Sequence, residues 1–351
     1  MKRTLQISFG LGLSLFFVWW SLRGTDLAAV AHAVRAADLR WVLAALAVLS
    51  TIHFVRAWRW GLLLKPLAPA RFRDVNALAA VGFMALMLLP LRLGELARPS
   101  LAAEKLKVRM SGALASVVVE RIVDGLFMGL VLVGLLWTLG AEVSSRHLAR
   151  VRLGGALVAL VFGAGLVALV LAFRHRDAAD RLVGRLVGRF SPRLADRLRG
   201  MLASFTDGLA VVPSASRLFE FVLVTALYWG LNALGLALLA RAFALHLSPA
   251  QATTVLGLQV IGAMIPAGPG MVGTMQFFTV LGASLFLHGP GVGTRIAAYA
   301  HTGWALSFGQ QVAFGLYFVL IGRVRLNHLF SHLLGRGQVA PTAADEAPLG
   351  S

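Results

Sequence analysis

Apolar residues along this chain run on rather than alternate. Six stretches, residues 5–22, 41–64, 112–139, 153–173, 217–243 and 295–322, are each about 18 to 28 residues long with few charges. Helix rises 1.5 Å per residue, so about 20 apolar residues cross a ~30 Å hydrocarbon layer. The pattern predicts six full transmembrane helices and no sheet. The first, behind Lys2 and Arg3, is longer than the ~7–15 residue core of a signal peptide and is expected to be an uncleaved anchor. Two further apolar regions, 75–101 and 251–287, break the pattern. Each has an apolar arm of about 16 residues, a Pro/Gly interruption and a second arm. Pro90 with Gly94, and Pro266 with Gly268, Pro269, Gly270 and Gly273, would stop a helix there. Irregular backbone at membrane depth survives only inside protein or beside a water-filled cavity. Both regions are therefore expected to be re-entrant hairpins of broken helix.

Composition fixes the solvent. Hydrophobic residues make up 58% and charged residues 14% of the 351, against about a quarter charged in soluble chains. The formal net charge of +18 comes from arginines beside apolar spans, which points to an anionic lipid surface rather than nucleic acid. With no cysteine, thiol catalysis, disulfides and Cys-ligated metal are excluded. With the N-terminus inside, segments 1–4, 65–74, 102–111, 174–217 and 323–336 carry 20 of the 33 Lys/Arg, and the opposite loops carry 7. That bias predicts a multi-pass protein of the cell's inner (plasma) membrane with both termini cytoplasmic. It requires each hairpin to return to its own side, the first from the cytoplasm and the second from the opposite face. The shared Pro-x-x-x-Gly of Pro90/Gly94 and Pro269/Gly273 then suggests an inverted repeat.

Charges inside these apolar regions cost a few kcal/mol each and usually pair within the bundle. Arg92, Glu95 and Arg98 repeat at three-residue spacing, so each neighbours the next on a helix. Glu120 and Asp124 share one face of their span, with Arg121 beside them. Arg56 and Arg59 are interleaved with Trp58 and Trp60, and fit either interface anchors or cavity ligands. Some of these groups will lock helices together. Yet Arg56, Arg59, Arg92, Arg98 and Arg121 outnumber Glu95, Glu120 and Asp124 by two. A phosphate would satisfy the surplus, and the planar guanidinium suits it.

In order, "RAWRW", "LPLRLGELARP", "VERIVDG" and a late "GPGMVG" resemble the flippase-like membrane family that includes the transmembrane region of lysylphosphatidylglycerol synthases. The resemblance spans about 5–322. It implies an all-helical polytopic fold with two re-entrant elements, and movement of a lipid or lipid-linked group between leaflets. The matching positions are Arg56, Arg59, Pro90, Gly94, Glu95, Arg98, Pro99, Glu120, Arg121, Asp124, Pro269, Gly270 and Gly273. Where the family often has an acid after the second hairpin's glycines, this chain has Thr274, Met275 and Gln276. The soluble aminoacyl-transferring domain of the synthases is not expected here.

Other motifs carry less. "GPGMVG" has the spacing of a dinucleotide fingerprint but no strand before it. Gly125 and Gly129 suit close helix packing. His328 and His332 lack a further ligand for metal, and His301 fits a structural or a titrating role. No catalytic triad spacing and no cofactor motif is visible. Arg181, Arg185 and Arg189 beside Leu182, Leu186 and Phe190 predict an amphipathic cytoplasmic helix in 174–217, joining the halves of one transmembrane domain (1–336). Residues 337–351 are too polar to fold and are expected to be a disordered tail.

The expected function is a lipid translocator. Arg92 and Arg98 would engage an anionic headgroup, with Arg56, Arg59, Arg121 and Glu95 around it. Glu120, Asp124 and Gln276 would pair or gate. An enzyme transferring a group to a lipid, and a small-anion transporter, are the alternatives. A second copy or a separate lipid-modifying enzyme would be the protein partner.

Overall fold

The structure, a computed structural model, describes residues 26–89, 94–138, 215–265 and 268–324, with isolated positions at 19 and between 153 and 192. Pro90, Arg92, most of the 5–22 and 153–173 spans, nearly all of 174–217, and the 337–351 tail lie outside them. Every regular element described is helical.

α1 (Leu27–Arg35) begins on Asp26, whose carboxylate accepts the amides of Ala28 and Ala29. α2 (Leu39–Leu64) begins in the same way on Asp38. Such side-chain acceptors satisfy the free amides of a first turn. α5 (Met110–Thr138), α6 (Ala215–Ala242) and α9 (Val292–Leu320) are the other long helices. By length and composition, α2 and residues Phe219–Ala242 could each cross a membrane. Between the first two apolar stretches, Asp26 caps a nine-residue helix, α1, too short to stand out from periodicity.

Both interrupted regions fold as helical hairpins. In the first, α3 (Phe72–Leu88) ends on Leu89 at φ −89°, ψ 136°. In the second, α7 (Pro249–Met264) ends on Ile265 at φ −75°, ψ 128°. Each of these residues precedes a proline, whose ring forces its neighbour out of helical geometry. The arms hold 17 and 16 residues, about 25 Å of helix, short of the hydrocarbon thickness. The returns are α4 (Ala97–Leu106) and α8 (Thr274–Ala283). Pro99 falls in the first turn of α4, where no intrahelical amide is lost.

Glycines let the arms close. A Cβ on Gly94 would lie 2.3 Å from Leu86 Cα, and one on Gly82 would lie 2.2 Å from Arg98 Cγ. Residues 94 and 98 therefore pack against 86 and 82, an antiparallel return. In the second hairpin, Gly262 meets Phe278 and Gly282 meets Val255, again antiparallel.

The hairpins are rooted at opposite ends of the molecule. The Asp38 amide donates to Ala242 O at 3.0 Å, so α2 starts where α6 finishes. Leu62 packs with Phe221 and Val224 at the other end of the same antiparallel pair. α7 follows α6 and enters from the first end, and α3 follows α2 and enters from the second. They meet midway, where Met271 packs on the apolar cluster built around α3.

Exterior and interior are inverted relative to a water-soluble protein. Leu43, Phe54, Trp58, Phe219, Leu223 and Leu227 are exposed, while Arg59, Arg98, Glu120 and Asp124 are buried. A lipid solvent favours that arrangement.

Candidate functional site

Arg59 is the hub of the interior. Its guanidinium binds Asp124 through both carboxylate oxygens, Nη2 to Oδ2 at 2.9 Å and Nη1 to Oδ1, and donates from Nη2 to Glu120 Oε1 at 2.8 Å. Arg98 donates to Glu120 Oε2 at 3.0 Å. Trp229 Nε1 adds a hydrogen bond to Asp124 Oδ1 at 3.1 Å. The i, i+4 spacing of Glu120 and Asp124 on α5 is what lets one guanidinium span both acids. Helices α2, α4, α5 and α6 are thereby tied at one point, and Trp60 donates to Ser116 at 3.0 Å beside it. Breaking a buried, hydrogen-bonded ion pair leaves an uncompensated charge, so this network resists dissection.

Arg56, one turn earlier on α2, stands apart. Its Nη2 donates to Gln311 Oε1 at 3.3 Å, and its Cζ lies 3.2 Å from the centre of the Phe83 ring. Arg98 Cζ lies 4.5 Å from the same ring. Among the described residues no carboxylate comes within ion-pairing distance of Arg56, and its Nε has no hydrogen-bond partner. Arg121 lies 3.5 Å from Glu95, both partly exposed.

A cavity of about 480 Å³ opens against this cluster, between the two hairpins and α2, α5, α6 and α9. Arg56, Arg59, Glu95, Glu120, Arg121 and Asp124 form its charged wall. Asn232, Gln259, Ser307 and Gln311 supply neutral polar groups, and Met87, Met264, Met271 and Met275 an apolar side.

Placement revises several sequence expectations. Arg59 is 1% exposed and Arg56 lies inside, so neither is an interface anchor. Arg98 is held behind Glu120, off the cavity wall, whereas Arg56 lines it. Gln276 does not face the cavity either. It is buried and its Oε1 accepts the Gly273 amide at 2.7 Å, capping α8. His301 Nδ1 lies 2.9 Å from Ala297 O, a bond within its own helix. Gly94, Pro269, Gly270 and Gly273 all sit at or beside the hairpin turns. Trp229 and Gln311 were missed, because single neutral polar side chains in apolar spans carry no distinctive spacing.

A charged, hollow centre inside an apolar helical shell defines a polytopic all-α membrane protein. The chain belongs to the lysylphosphatidylglycerol synthase transmembrane-region family, whose model matches residues 7–315. Membership places it in a membrane, among proteins that act on lipids. Comparison with curated proteins and with solved structures returned no match.

Proposed function

We propose that the protein moves an anionic phospholipid, or a lipid-linked anionic group, between the leaflets of the cell membrane. The hairpins would be re-entrant, entering from opposite faces, with both chain termini cytoplasmic. The cavity between them would hold the headgroup while the acyl chains stay in lipid.

The observation that carries this reading is Arg56. Four described guanidiniums in the cluster face three carboxylates, and Arg56 is the one left without an acid. An unpaired cation inside a bilayer is costly, and a phosphate oxygen on its free donors would offset that cost. Glu120 and Asp124 are engaged by Arg59 and Arg98, which favours a structural role for them over that of a base on a bound lipid.

The test uses purified protein in sealed vesicles containing a fluorescent anionic phospholipid, with an impermeant quencher outside. The expected result is leaflet exchange roughly tenfold or more above protein-free vesicles, with the lipid's mass unchanged. A covalently altered lipid with no exchange would establish the transferase alternative. Uptake of a soluble anion without lipid movement would establish the transporter.

A further inference from the structure

The tip of the second hairpin is built at a conformational cost that the anion site does not explain. Gly270 and Met271 adopt φ of +66° and +52°, and Gly273 follows at +84°. The left-handed region is natural for glycine but costs a side-chain-bearing residue about 1 kcal/mol or more. Non-glycine residues persist there only where surrounding structure holds them. The holding groups come from α9. Trp304 Nε1 donates to Gly270 O at 2.8 Å, and the Trp304 ring stacks on Phe308 with centroids 5.2 Å apart. A Cβ on Gly270 would lie 3.1 Å from the Phe308 ring, so the tip rests directly on that pair. Met271 is thereby turned onto the α3 cluster while still bordering the cavity.

We propose that Trp304 and Phe308 are positioning residues that hold this tip as a releasable barrier, with Met271 sealing the seam between the two hairpins. The inference rests on the cavity being a passage, as argued above. Among the described residues, the Trp304 hydrogen bond to Gly270 and the Phe308 ring contact tie the tip to α9, interactions small enough to be broken during each cycle. The unbranched thioether of methionine suits a seal that must re-form against a moving surface. Release would let Met271 leave α3, and relaxation of its φ would favour the open form.

Because the chain has no cysteine, Ser307→Cys places a single thiol on the cavity wall. Its labelling by a small water-soluble thiol reagent, in the purified full chain, reports the barrier without requiring lipid movement. Trp304→Phe keeps an aromatic ring and removes the donor, and is expected to raise the labelling rate roughly fivefold or more. Met271→Gly relieves the backbone yet removes the seal, and is expected to raise it too. Leu281→Ala, on an exposed part of α8, is the control and should leave the rate unchanged. Equal rates in parent, Trp304→Phe and Met271→Gly would overturn the proposal. So would an increase of the same size in the control, which would show general loosening. Changed labelling in a protein that moves no lipid would keep the barrier and remove the translocation reading.

Discussion

One helical turn separates Arg56 from Arg59, and the sequence gives no reason to prefer either. Pairing distinguishes them. Arg59 reaches acids 61 and 65 residues away, while Arg56 reaches only an amide and a ring. Arg59→Met should therefore cost stability, about 3–5 kcal/mol, since buried Asp124 loses its cation and Glu120 keeps only Arg98. Adding Asp124→Leu to that variant should recover part of the loss, measured as unfolding midpoints in detergent. Full additivity of the two losses would contradict the network. Gln276→Ala should cost about 1 kcal/mol through the lost cap, while Gln276→Glu keeps the acceptor but buries a charge and should also lower the unfolding midpoint. The charged residues themselves were legible in sequence because ions are rare in apolar spans. Which arginine stays unpaired was not, because that depends on contacts across the fold.

At the scale of elements, the prolines and glycines foretold both hairpins and nearly the lengths of their first arms. A proline excludes helix at the residue before it regardless of tertiary context, so these breaks could be placed without coordinates. The closure of the arms could not. Gly94's role is to let backbone meet backbone at Leu86, a contact across the hairpin that no local pattern announces. Gly94→Ala should consequently disrupt the first hairpin, seen as loss of the folded monomer peak in size-exclusion chromatography. Gly230→Ala, where a Cβ would meet nothing within 4 Å, should instead be neutral or slightly stabilising. An intact fold in the first variant would contradict the antiparallel packing of α3 and α4. α1 escaped notice for a different reason: two and a half turns are too few to establish a period, and only its Asp26 cap marks it.

For the whole molecule, the two hairpins entering from opposite ends define a hollow with one charged wall and one apolar wall. Composition made the membrane setting legible. The hollow itself comes from chain segments more than 200 residues apart, Arg56 and Gln311 among them. The central claim is that the unpaired guanidinium of Arg56 receives a lipid phosphate within this hollow. Leaflet exchange of a labelled anionic phospholipid by reconstituted Arg56→Gln tests it most directly, since that variant leaves the Arg59 network whole. The account predicts a folded protein with exchange slowed roughly tenfold or more, about 1.4 kcal/mol of lost headgroup interaction. Exchange at the parent rate in that variant would contradict it.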